Sequence, residues 1–122
     1  RYFRQVYYIG SNEKAARLID NSEKRYLSVQ SFMELLQGAK HKAQHKKVKD
    51  FISDFGFSVL PLTENIGHRA LIYVEEFALS SNMRAGDAII AATAIENNLP
   101  MVTSNARHFK SVKELQLKVF KP

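Results

Sequence analysis

The chain has 122 residues, a length that suits one domain with one real core. Hydrophobic residues make up 45% and charged residues 25%, and no apolar run approaches the roughly 20 residues that span a bilayer, which excludes a membrane-crossing helix. With no cysteine, disulfides, thiol catalysis and thiolate metal sites are excluded, and a reducing, cytoplasmic compartment is expected; neither a signal peptide nor a lipidation signal is visible.

The net charge of +6 favours polyanionic partners. The excess is uneven. Lys40, His41, Lys42, His45, Lys46, Lys47 and Lys49 fall in one ten-residue stretch, which reads either as a solvated helix face or as a phosphate-contacting surface. His41 and His45 are spaced i, i+4, but the lysines around them would repel a metal ion.

In chain order, the aromatic stretch Arg1–Ile9 carries no clear periodicity. Ser11 or Asn12 can cap a helix carrying Ala15, Ala16, Leu18 and Ile19. Arg25–Ser28 reads as a short strand. Ser28 then caps a helix with Val29, Phe32, Met33 and Leu36 on one stripe, ending near Gly38. Lys40 to about Phe55 is a third helix, amphipathic through Ala43, Val48, Phe51 and Ile52 and broken by Gly56. Phe57–Leu60 is a strand closed by Pro61. Thr63 caps a long helix with Ile66, Ala70, Val74 and Phe77 on one stripe, widened by Leu71 and Ala78.

Asp87 then opens a helix that is small and apolar all round (Ala88, Ile89, Ile90, Ala91, Ala92, Ala94, Ile95), the mark of a buried element. Pro100–Thr103 is the next strand, followed by a turn or short helix around His108 and a last strand at Leu117–Phe120. Strands alternating with helices predict an α/β fold, a three-layer α/β/α arrangement with a central parallel sheet. Ligands gather at the carboxyl ends of such strands, where Asp87, Thr103 and Asn105 are expected.

Singly these residues mean little. Asp87 reads as a helix cap, Glu34 as an exposed residue on the polar side of its helix, and Thr103 and Asn105 as strand-end and turn residues. Their order is more informative. Ser28-Val29-Gln30-Ser31-Phe32-Met33-Glu34-Leu35, then Gly86-Asp87-Ala88-Ile89-Ile90-Ala91-Ala92-Thr93-Ala94, then Thr103-Ser104-Asn105-Ala106-Arg107-His108-Phe109 resembles the PIN-domain family, in particular VapC-type toxins of bacterial and archaeal toxin–antitoxin pairs. The resemblance covers nearly the whole chain.

The resemblance implies a five-stranded parallel sheet and a metal-dependent endoribonuclease site at its carboxyl edge. Glu34 and Asp87 would be acidic ligands or water-orienting groups around Mg²⁺ or Mn²⁺, with Asn105 as a further ligand and Thr103 a nearby hydroxyl. A hard divalent cation takes oxygen ligands and keeps several waters, so the donor types agree with the chemistry. Arg84, Arg107, Lys42 and Lys46 would contact the RNA backbone. Implied partners are an RNA substrate, a small antitoxin and a second copy in a homodimer.

One departure stands out. The family's first strand ends in an Asp, ahead of a helix leading into a stretch like Tyr7–Ala15, yet no acidic residue precedes Glu13. Two expectations follow. Either residues 1–122 form a PIN-like domain lacking part of its N-terminal strand, with residues between Arg1 and Val6 that are not true neighbours, or the chain is a nuclease-dead module that binds RNA or an antitoxin without turnover. An unrelated α/β domain would instead hold the Glu34 and Asp87 carboxylates more than about 12 Å apart, too far to share one ion even through a water.

Overall fold

The computed structural model describes residues 4–8, 24–104 and 106–119; in the first stretch Val6 is the one side chain described. Among them are strands β1 (Arg4–Tyr8), β2 (Lys24–Ser28), β3 (Phe57–Leu60), β4 (Met101–Thr103) and β5 (Leu117–Val119). The helices are α1 (Val29–Gly38), α2 (Lys42–Asp54), α3 (Glu64–Ser81) and α4 (Ala85–Glu96). Every strand pairing is parallel, in the order β3-β2-β1-β4-β5. The helix expected from Ser11 or Asn12 and the residue Asn105 lie outside the described residues.

Alternation along the strands divides the core into two layers, because successive side chains leave a strand on opposite faces. Val6, Tyr26 and Met101 face α3, α4 and the segment carrying Phe109, Val112 and Leu115. Leu27, Phe57 and Val102 face the other way, against Phe32 and Leu35 of α1 and Phe51 and Ile52 of α2. Helices thus cover both faces, the expected three-layer α/β/α arrangement.

Local signals explain the helix ends. The Ser28 hydroxyl accepts the Ser31 N–H at 3.0 Å, and the Thr63 hydroxyl accepts the Ile66 N–H at 3.2 Å, each satisfying a donor that the first turn leaves open. Gly56 stops the chain after α2 at φ +66°, a left-handed turn that costs other residues strain. In α4, Ala88, Ile90, Ala91, Ala92, Thr93 and Ala94 are all buried, on every side of the helix. The one hydroxyl among them, Thr93, turns back to donate to the Ile89 carbonyl at 2.7 Å.

Two elements depart from the periodicity reading. In α3 the buried residues are Ile66, Ala70 and Tyr73, whereas Leu71 is 61% exposed. Leu71 lies about 100° beyond Ala70 around the helix, which carries it out of the packed stripe. Tyr73 takes the inward place because its phenol has partners there: it donates to Glu114 and receives from Arg69, whose guanidinium also pairs with Glu96 of α4.

The second departure is at the start of the chain. Tyr7 and Tyr8 end β1 and pair with Val102 and Thr103, so they belong to the first strand itself instead of following a helix. Val6, wholly buried between Tyr26 and Met101, anchors that strand at the centre of the sheet.

Arg25 is a buried cation near the amino end of β2. Its Nη1 donates to the Phe55 carbonyl at 2.7 Å and its guanidinium stands 6.0 Å from the Phe55 ring centre, but Nε and Nη2 have no hydrogen-bond partner. A buried donor left unpaired costs about 1–3 kcal/mol, and an apolar side chain of similar shape removes that cost. Arg25→Met is therefore expected to raise the unfolding free energy by about 1 kcal/mol in urea titration, after the loss of the Phe55 bond; a fall of that size would contradict this account.

Burial, with the hydrogen bond to Glu114 second, pushes the Tyr73 phenol up to about 12 from its ordinary 10. A folded-state value above the unfolded one means that the native state keeps its proton while the unfolded chain loses it. Stability then falls as pH rises from 10 towards 12. Tyr73→Phe is expected to flatten that alkaline limb in thermal melts, and an unchanged slope would count against the assignment.

Candidate active site

Two helices begin at the same edge of the sheet. α1 starts directly after Ser28, the last residue of β2. α4 precedes β4 and, in a parallel sheet, runs antiparallel to it, so its first turn also lies at the carboxyl edge, against α1. Helix N-termini present open N–H donors and a partial positive charge, which favours anionic side chains there.

Polar burial concentrates at this edge. Among the described residues six polar or charged side chains are buried, and four of them, Ser28, Ser31, Asp87 and Thr103, belong to it. The other two are accounted for elsewhere, Arg25 at the opposite end of β2 and Thr93 by its bond within α4. Ser28 and Ser31 bond each other and Asp87 accepts the Arg84 N–H, so polar groups gather at this edge with hydrogen bonds made.

Asp87 is the third residue of α4, not its cap. Arg84 holds the cap position, and its backbone N–H donates to Asp87 Oδ2 at 3.0 Å. That is the reach-back half of a capping box, so the structural role read from the sequence is real but one turn further in. It engages one carboxylate oxygen and fixes the side chain's rotamer at the mouth.

Glu34 departs furthest from its sequence reading. Periodicity puts it on the exposed polar side of α1, with Met33 on the apolar stripe. In the structure Glu34 is half-buried and Met33 is 48% exposed. Glu34 Oε2 accepts from the Gln30 side-chain amide at 3.0 Å and lies over the first turn of α4, where a Cβ added at Gly86 would come within 2.6 Å of it. Since Gly86 and Asp87 are one 3.8 Å step apart, Glu34 Oε2 is within roughly 8 Å of the Asp87 Cα. That bound keeps the two carboxylates inside the wide separation expected of an unrelated domain.

Sequence reasoning missed Gly86, Gln30, Ser28 and Ser31 as parts of this edge. The signals were present: a glycine in a helix otherwise built from Ala and Ile, and the i, i+4 spacing of Gln30 and Glu34. Thr103 is buried at the end of β4, as expected; Asn105, two residues on, lies outside the described residues.

The basic residues divide. Arg84, exposed, sits at the mouth itself, one turn from Asp87, and Arg107 is exposed beyond the end of β4. Lys42 and Lys46 are exposed on α2, whose first turn meets the far end of α1 through the bond between His45 Nε2 and the Leu36 carbonyl, 2.9 Å long. That places them about a helix length, on the order of 15 Å, from Ser28. Lys46 also forms an exposed i, i+4 pair with Asp50 at 2.9 Å. The structure does not bring this pair of lysines to the mouth.

As a metal site the edge offers two carboxylates, hard oxygen donors, while the Ser28 and Ser31 hydroxyls are taken up by each other in the helix cap. Among the described residues no three His, Asp or Glu side chains cluster closely enough to hold an ion. β1, the central strand of the sheet, contributes none, reading Arg-Gln-Val-Tyr-Tyr. A Mg²⁺-type ion binds through one or two carboxylates and retains several waters, so this donor set fits such an ion with a sparse protein share.

Known proteins agree with this architecture. The chain spans 98% of itself and 100% of the matched chain in VapBC2 from Rickettsia felis bound to a promoter DNA fragment, with 19% identity and a TM-score of 0.73. DNA-bound VapBC from Salmonella typhimurium matches over 98% of each chain, with 18% identity and a TM-score of 0.70. A toxin–antitoxin complex from Klebsiella pneumoniae matches over 84% of this chain and 79% of its own, with 23% identity and a TM-score of 0.64. No curated protein matches the sequence. The PIN-domain family model matches residues 7–115. The chain belongs to the PIN-domain family.

Proposed function

We propose that this protein is a divalent-metal-dependent endoribonuclease, the toxin half of a toxin–antitoxin pair, neutralised by a small antitoxin protein and acting as a homodimer. The observation that carries this reading is the Glu34 carboxylate lying over the first turn of α4, one residue from Asp87, in a PIN-family chain. The similar solved structures are toxin–antitoxin complexes, which supports an antitoxin partner.

In this reading Glu34 and Asp87 hold Mg²⁺ or Mn²⁺ with Asn105, and Thr103 completes the site. Such an ion supplies charge neutralisation at the phosphodiester and a more acidic bound water. The chain's own groups do the rest. The Arg84 N–H keeps Asp87 in one rotamer, and the Gln30 amide keeps Glu34 turned towards it. Arg84 and Arg107, both exposed, pair with backbone phosphates of the RNA, and Lys42 and Lys46 extend the contact along α2. No helix among the described residues is long and apolar enough to cross a membrane. A cytoplasmic location is consistent with an RNA substrate.

The family's first-strand Asp has no counterpart in Arg4–Tyr8. The first reading leaves the acidic share of the site to Glu34 and Asp87. The second reading, favoured by the acid-free β1, is a nuclease-dead module that binds RNA or an antitoxin without turnover. It gives salt-sensitive RNA binding with no products.

RNA cleavage with and without EDTA, alongside Asp87→Asn, separates these readings. Asn keeps an oxygen to accept the Arg84 N–H, so the fold survives while the charge is lost. Cleavage is expected to fall by about a hundredfold in the variant, the upper end of what losing even an outer-shell partner costs, and to stop in EDTA. Equal cleavage in all arms would remove the mechanism; binding without cleavage in any arm would select the second reading.

A further inference from the structure

Gly86 is the second residue of α4, a position where alanine would favour the helix. Its nearest neighbours explain the choice. A Cβ there would meet Glu34 Oε2 at 2.6 Å and Gln30 Nε2 at 3.2 Å, the two ends of the hydrogen bond between those side chains. Real carbon–oxygen contacts do not reach 2.6 Å, so an alanine would drive the carboxylate out of its place. Gly67 and Gly38, by contrast, have nothing within 4 Å of an added Cβ.

We propose that Gly86 and Gln30 are positioning residues for Glu34: the absent side chain at 86 is the slot in which the Glu34 carboxylate rests, and the Gln30 amide holds Oε2 in it. Both contacts act on the same oxygen. The slot determines how closely Glu34 approaches the first turn of α4, and hence Asp87 one residue further on. The Gln30 bond, spanning one turn of α1, restricts the rotation of the Glu34 carboxylate. Because the obstacle is the end of a flexible side chain, an alanine at 86 displaces Glu34 without unfolding the protein. The functional consequence rests on the metal-nuclease reading given above; the slot itself does not.

Two measurements test them separately. In thermal melts of wild type, Gly86→Ala, Glu34→Ala and the double variant, Gly86→Ala is expected to raise Tm by about 1–4 °C where Glu34 has been removed, the usual gain from replacing a helical glycine. With Glu34 present the gain vanishes or reverses. An equal gain in both backgrounds would overturn the slot.

In RNA cleavage with Mn²⁺, Gly86→Ala and Gln30→Met are each expected to lose about tenfold, in the range seen for residues that orient a metal ligand. Gly86→Ala adds nothing in a Glu34→Gln background, and Glu34→Asp, shorter by one methylene, recovers part of the loss in Gly86→Ala. Gly67→Ala matches wild type. Full activity of Gly86→Ala alongside a positive melt result would overturn the positioning role. A wild type that cleaves no RNA would overturn the nuclease reading, while the melts still decide whether Gly86 admits Glu34.

Discussion

Close approach at the first turn of α4 is the constraint on which the candidate site depends. The helix is walled in by neighbours on all sides, and its interior is built from alanine and isoleucine because there is no room for larger side chains. Bulk added within such a helix forces side chains off their rotamers at a cost of about 1–3 kcal/mol. The same tight packing fixes where the first turn ends up: against α1, with Gly86 under Glu34 and Asp87 at the mouth. A loosely held helix would place Asp87 less well, and pairs of ion-binding carboxylates tolerate little misplacement.

The electrostatic logic follows from that geometry. Two helix N-termini converge on one edge, and each offers unpaired N–H groups to anions. Asp87 uses one such donor, at Arg84, and the Ser28 hydroxyl answers another, at Ser31. Carboxylates are stabilised there singly but repel one another, an arrangement that a divalent cation relieves. The exposed arginine at the mouth, Arg84, supplies the opposite charge that a phosphate backbone needs.

Much of this architecture was legible in the residues. Ser28 and Thr63 cap their helices, Gly56 takes a positive φ, and Pro61 closes β3, all from local chemistry that tertiary structure does not override. The buried character of α4 followed from its composition alone. What escaped was set by neighbours distant in sequence. Met33 should pack and Glu34 should face solvent if α1 lay on a uniform apolar surface; Gly86, some fifty residues on, opens a polar slot and reverses the pair. Tyr73 replaces Leu71 in the α3 stripe because Glu114 and Arg69 wait for its hydroxyl. Asp87 was legible as a helix-start residue, but periodicity carries no information on whether it stands at the cap or at the third position.

The central claim is that Glu34 and Asp87 serve one ion. Anomalous diffraction from crystals grown with Mn²⁺ tests it most directly. The account predicts a single strong peak at coordination distance from both carboxylates, directly or through one water, weakened in Asp87→Asn crystals. A peak elsewhere on the molecule, with both carboxylates unliganded at saturating Mn²⁺, would contradict it.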